Sequence, residues 1–116
     1  MENSKILSET VTVAPQISAS DVEAIRAQGF TAIMCNRPDG EQEGQPTWKE
    51  IEAAAHKAGL KAFHVPMDGR NPTDEALVGF ARAVSEANGP IFAYCRTGTR
   101  SEILWEATRT LAKAAE

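Results

Sequence analysis

Along the chain, short apolar or β-branched runs alternate with stretches whose apolar residues recur at helical spacing, with turn residues between them. Four such units follow one another, the pattern of a parallel sheet covered by helices. Val11 to Val13 reads as a strand, and Ser20-Asp21 opens a helix whose Val22, Ile25 and Arg26 spacing turns one face inward before Gly29 stops it. Thr31 to Asn36 reads as a buried second strand, and Arg37 to Pro46, crowded with Pro, Gly and acids, as a loop. Thr47, with Glu50 following as in a capping box, starts a helix that Trp48, Ile51, Ala55 and Ala58 line on one face. Leu60 to Val65 is the third strand and Pro66 to Pro72 the second loop. Thr73 caps the next helix, Asp74 and Glu75 sit in its first turn, and Leu77, Phe80, Ala81 and Val84 form its inward stripe up to Asn88-Gly89. Pro90 to Tyr94 is the most apolar run and is expected at the centre of the sheet. Ser101 to Ala114 reads as the last helix, with Leu104, Trp105, Thr108 and Leu111 inward. The expected fold is one α/β domain over residues 1–116, with a mostly parallel sheet of four to five strands flanked by helices.

Composition narrows the field of partners. The chain carries 16 acidic and 12 basic residues, a net charge of −4, and shows no basic stripe, which argues against a nucleic acid partner. No apolar run approaches the roughly 20 residues of a membrane span. Met1 to Lys5 lacks a basic stretch followed by an apolar one, so a cytoplasmic location is expected. The two cysteines, Cys35 and Cys95, lie far apart and form neither a disulfide framework nor a metal-ligand pattern, and neither a metal nor another cofactor is expected.

Chemistry concentrates after the central strand, where the chain reads Y-C-R-T-G-T-R-S from Tyr94 to Ser101. In an open parallel sheet, ligands bind outside the carboxyl ends of the strands, which is where Cys95 stands. A turn of Arg96, Thr97, Gly98 and Thr99 leading into a helix at Arg100 and Ser101 points successive backbone N–H groups at one spot, a nest for an anion. The same field stabilises the thiolate of Cys95, the nucleophilic form. Arg100 offers a planar fork to two oxygens of an oxyanion, and Arg96 is expected at the solvent-facing mouth. Asn36, Arg37 and Asp39 follow the second strand and belong at the same edge of the sheet; Arg37 is expected to act as a buttress paired with Asp39 or Glu41. Asp68 is a candidate general acid and Asp74 a weaker one, against their ordinary roles as turn and helix-start residues. Cys35, Trp48 and Trp105 read as core, His56 as surface, and His64 as a hydrogen-bonded structural histidine.

The C-R-T-G-T-R loop from Cys95 to Arg100 resembles that of the rhodanese sulfurtransferases, and is one residue shorter than the similar cysteine-phosphatase loop. Further stretches carry a narrower resemblance: A-P-Q-I-S-A-S-D-V from Ala14, N-R-P-D-G-E-Q-E-G-Q-P from Asn36, A-G-L from Ala58, and G-P-I-F-A-Y-C-R-T-G-T-R-S from Gly89. Together these are similar to the phosphatase-like domain of the beta-lactamase-hydrolase-like proteins. That resemblance implies a fold like the dual-specificity tyrosine phosphatases, and as partner a fused or separate metallo-β-lactamase-type sulfur dioxygenase.

Two enzyme readings follow from one thiolate. Sulfur transfer from thiosulfate or a small persulfide, leaving a persulfide on Cys95, needs no general acid because its leaving group is already a stable anion. Phosphoester hydrolysis needs room for a phosphoryl group and a proton for the leaving oxygen, for which Asp68 is available. The short loop favours sulfur transfer, with phosphoester hydrolysis by Cys95, Arg100 and an aspartate as the alternative. A non-catalytic anion-binding module is the least favoured reading, since it leaves the nucleophile and the arginine without a use.

Overall fold

The computed structural model describes residues 3–114. Its elements run β1 (Lys5–Ile6), β2 (Val11–Ala14), a single 3-10 turn at Ala19–Asp21, α1 (Val22–Ala27), β3 (Ala32–Cys35), α2 (Trp48–Lys57), β4 (Lys61–His64), α3 (Asp74–Ala87), β5 (Ile91–Tyr94) and α4 (Thr99–Ala114). The five strands form one sheet in the order β1-β2-β5-β3-β4, parallel except for β1, which pairs antiparallel with β2. The expected sheet of four to five strands is therefore present, with β5 at its centre.

Alternation along the strands divides the core in two. Ile33, Cys35, Phe92 and Tyr94 pack with Val22 and Ile25 of α1 and Ile51 and Ala55 of α2. Val11, Val13, Met34, Ile91 and Ala93 pack instead with Phe80, Ala83 and Ala87 of α3 and Leu104 of α4. Residues two apart on a strand share a face, so each strand feeds both clusters. The chain skips the central position between β2 and β3 and returns to fill it with β5. That reversal of direction leaves a crevice at the carboxyl end of β5, the topological switch point of an open sheet.

The helix starts follow the expected chemistry. Thr47 accepts a hydrogen bond from the Glu50 backbone N–H at 3.3 Å, and Thr73 does the same for Ala76 at 3.1 Å. Asp39 adds a second acceptor at the start of α2, taking the Trp48 N–H at 2.9 Å.

Three expectations are corrected. The fully buried stripe of α3 is Ala76, Phe80, Ala83 and Ala87, with the expected Leu77 and Val84 half-buried against the same core, while Ala81 is exposed, because it stands about 100° around the helix from Phe80. Leu111 on α4 is 54% exposed. A helix of 16 residues is about 24 Å long, whereas strands of four residues reach only about 13 Å, so its last turns extend beyond the sheet. The last helix also begins two residues earlier than expected, at Thr99. No helix among the described residues is long and apolar enough to cross a membrane.

Candidate active site

Cys95 continues the central ladder by one residue, its N–H donating to the Ala14 carbonyl at 3.3 Å, and the chain then turns away from the sheet. Gly98 makes that turn possible. Its φ is +93°, a conformation that disfavours any side chain, and it presses against the Ala14 backbone, where an added Cβ would lie 3.4 Å from the carbonyl carbon. The Gly98 N–H is thereby aimed at the Cys95 sulfur, 3.1 Å away.

Burial alone pushes the Cys95 thiol up, since the residue is only 1% exposed. The backbone N–H groups of Ser101, Thr97, Arg100 and Gly98 outweigh that penalty and hold it below its ordinary value. These donors belong to the turn after Cys95 and the first residues of α4. Cys35 shows the opposite balance: burial raises its thiol, and hydrogen bonds from the Tyr94 side chain and the Arg37 backbone only partly offset this. Its sulfur donates to the Arg37 carbonyl at 3.2 Å and lies on the sheet face of Tyr94, as a core residue.

Arg100 is held from two sides. Its Nη1 donates to Glu41 Oε2 at 2.8 Å and to the Met67 carbonyl at 2.9 Å, and its Nη2 donates to Glu41 Oε1 at 2.8 Å. A guanidinium has five N–H donors, so Nε–H and one Nη2–H remain, and these two share one edge of the planar group. Glu41 therefore takes the end of the fork and leaves its side edge for another anion. Arg100 is kept charged chiefly by Glu41, with the Cys95 sulfur a further contributor.

Arg37 lies behind this pair and is 1% exposed. Its Nε donates to Glu41 Oε1 at 2.8 Å, Nη1 to Gln16 at 2.9 Å and Nη2 to Gln42 at 3.3 Å. Arg37 is thus a buttress, as expected, with Glu41 as its carboxylate; Asp39 serves α2 instead. One carboxylate joins a buried arginine to the loop arginine. The hydrogen bond from Arg100, followed by those from Arg37, lowers the Glu41 carboxyl to about 2 against the opposing effect of burial. That Arg100 would bind Glu41 was not expected from the sequence, whose only signal was a crowd of acids after Arg37.

Asn36 fastens the neighbouring loop. Its backbone N–H donates to the Tyr94 carbonyl at 2.7 Å, its side chain to the Val65 carbonyl at 2.9 Å, and its own carbonyl accepts from Met67 at 3.2 Å. The loop after β4 is so brought to Arg100 through Met67. Asp68 follows directly and is exposed, while Gly69 and Arg70, rather than Asp68, line the hollow beside the Cys95 loop. Asp74 lines a separate hollow with Val78 and Arg82. His64 is exposed, stacks on Trp48 at 5.2 Å and reaches the Arg37 carbonyl at 3.2 Å, a structural contact. Arg96 and Thr97 are exposed at the mouth. Ser101 is fully buried, and its hydroxyl has no hydrogen-bond partner among the described residues.

Comparison with known proteins agrees with this architecture. Residues 3–112 match the family model described as "Beta-lactamase hydrolase-like protein, phosphatase-like domain". A beta-lactamase hydrolase-like protein of Agrobacterium fabrum (strain C58 / ATCC 33970) is 37% identical over 99 residues, 85% of this chain and 23% of that protein. One from Xylella fastidiosa (strain Temecula1 / ATCC 700964) is 30% identical over the same shares. This chain thus spans less than a quarter of the length of those curated relatives. Among solved structures, a Neisseria meningitidis Z2491 protein provisionally described as a phosphatase superposes with a TM-score of 0.83 at 35% identity, covering 94% of this chain and 78% of that one. A second, from Shewanella putrefaciens CN-32, gives 0.80 at 12% identity, covering 97% and 70%, a likeness of fold. The α/β sheet, the cysteine loop at its switch point and the match over nearly the whole chain lead to one assignment: this chain belongs to the phosphatase-like domain family of the beta-lactamase hydrolase-like proteins.

Proposed function

We propose that this domain is a cysteine-dependent phosphoester hydrolase. One observation carries the reading: the donors that surround the Cys95 sulfur. The Gly98 N–H lies 3.1 Å from the sulfur, the backbone N–H groups of Ser101, Thr97 and Arg100 act on it as well, and the edge of Arg100 that Glu41 and Met67 leave free carries two further N–H groups on the same side. A phosphoryl group bears its three non-bridging oxygens on the atom that the thiolate attacks, so donors gathered around the sulfur are placed to stabilise those oxygens. In sulfur transfer from thiosulfate the oxygens sit on the departing sulfite, one bond further from Cys95, and the sulfur left behind is a weak acceptor. The relative provisionally described as a phosphatase, at 35% identity, supports the same choice.

The chemistry runs in two steps. Cys95 thiolate attacks phosphorus, the bond to the ester oxygen breaks, and the leaving alcohol takes a proton from a carboxylic acid, giving a cysteinyl phosphate. Water then attacks phosphorus, the carboxylate takes its proton, and the phosphorus–sulfur bond breaks to release phosphate and restore the thiolate. Asp68 is assigned the acid: it is the one carboxyl of its loop, between Met67, whose carbonyl Arg100 holds, and Gly69, which lines the hollow. The loop length favours sulfur transfer as a second reading, because a loop one residue shorter makes a tighter nest.

Both readings are tested together. Release of p-nitrophenol from its phosphate ester is expected, falling at least about a thousandfold in Cys95→Ser. Asp68→Asn should slow hydrolysis of an alkyl phosphate by about a hundredfold. Uptake of one sulfur from thiosulfate, seen in the intact mass, without any ester hydrolysis would replace this proposal with sulfur transfer.

A further inference from the structure

The hollow beside the Cys95 loop has a volume of about 460 Å³, and its wall holds three arginines, Arg70, Arg96 and Arg100, one carboxylate, Glu41, and no aromatic ring. Glu41 is already engaged by Arg100 and Arg37. Arg70 and Arg96 are exposed, and neither forms an ion pair among the described residues. On a chain of net charge −4, this mouth is a local concentration of positive charge.

The other side of the loop is different. There the space beyond Thr97 and Thr99 meets Glu102 and Glu106, and Lys5 is already paired with Glu102 at 3.1 Å. With Lys5 and Arg70 set against Glu102 and Glu106, that side carries no net charge, whereas the first hollow has three arginines to one carboxylate, so an anion extending from the Cys95 nest is drawn toward the first, where Arg70 stands at the border of the two.

From this geometry we infer that the substrate is a small molecule bearing a second phosphate, bound by Arg70 at the mouth while the first phosphate occupies the Cys95 nest. The inference rests on the hydrolase reading for the fate of the first phosphate, but not for the binding of the second. A phosphotyrosyl side chain needs an apolar or aromatic wall for its ring, which this hollow lacks. Two guanidinium groups, each able to grip two oxygens, suit a second phosphate instead.

The experiment separates binding from turnover. In a Cys95→Ser background, calorimetry would compare fructose 6-phosphate with fructose 1,6-bisphosphate. The bisphosphate should bind about ten- to a hundredfold more tightly, the effect expected of a charge-assisted contact. Adding Arg70→Gln should remove most of that preference and leave the affinity for fructose 6-phosphate within about twofold, and Arg70→Glu should go further. Equal affinities for the two sugars, or a preference that survives Arg70→Gln, would overturn the inference. With Cys95 intact, Arg70→Gln should leave p-nitrophenyl phosphate hydrolysis within about twofold of the unsubstituted protein, and a marked loss would make Arg70 a structural residue instead. Bisphosphate binding with no ester hydrolysis at all would refute the hydrolase and keep the second-phosphate site.

Discussion

Replacing Glu41 by glutamine tests whether one carboxylate organises the site. The substitution keeps shape and one acceptor oxygen but removes the charge between Arg37 and Arg100, and it turns an NH₂ group toward guanidinium donors. Arg37 then stays buried, its side chain 2% accessible, with only glutamine oxygens as partners. Breaking a buried pair from one side costs about 3–5 kcal/mol. Because the Glu41 side chain is 26% accessible, water can reach the gap, and about 2–3 kcal/mol is expected. For a chain of this size that lowers the melting temperature by roughly 8–12 °C. Urea unfolding at neutral pH would measure the difference directly.

The acid dependence supplies an independent check. Glu41 titrates at about 2 in the folded protein against an ordinary value of 4.5, so its stabilisation is complete above 4.5 and lost as pH falls toward 2. Unsubstituted protein should lose stability across that interval, whereas Glu41→Gln has no such carboxyl to protonate, and the gap between the two should narrow on acidification. A difference under about 0.5 kcal/mol at neutral pH, within the range of ordinary surface changes, would refute the reasoning. So would a gap of constant size down to pH 2.

Two further outcomes bear on the nucleophile. At about pH 6–7, iodoacetamide should modify Cys95 faster than Cys35 in the native protein, because backbone donors lower the first thiol while burial raises the second; mass-spectrometric rates that are equal, or faster at Cys35, would contradict this. Gly98→Ala should cost about 1–2 kcal/mol in urea unfolding for forcing a side chain into a φ of +93°, and should raise the pH midpoint of Cys95 alkylation as the Gly98 N–H moves off the sulfur. An unchanged stability together with an unchanged midpoint would show that the loop does not depend on that turn.

What could be read from the sequence shares one property, that its signals are local. The apolar run from Pro90 to Tyr94 marked the central strand, Thr47 and Thr73 marked helix starts, and the C-R-T-G-T-R string carried nucleophile, turn and cation within six residues. Elements with weak local signals were missed. Lys5–Ile6 is two exposed residues at the sheet edge, with no alternation to betray a strand, and Leu111 has helical spacing but nothing beneath it. The acids after Arg37 pose the harder problem, since Asp39, Glu41 and Glu43 are equivalent by composition while the fold gives them different work. A turn at Gly40, with φ of +75°, separates Asp39, which goes to the start of α2, from Glu41, which reaches an arginine 59 positions away. Strand order explains that reach. Cys35 lies opposite Tyr94 in the parallel register, so the loops after β3 and β5 leave the sheet at the same level and side by side. A buried Arg37 in the first loop requires a counter-charge, and Arg100 in the second requires an anchor that aims its free edge at Cys95. Glu41, standing where the two loops meet, meets both requirements at once, and only the adjacency of β3 and β5 brings the two arginines within reach of it.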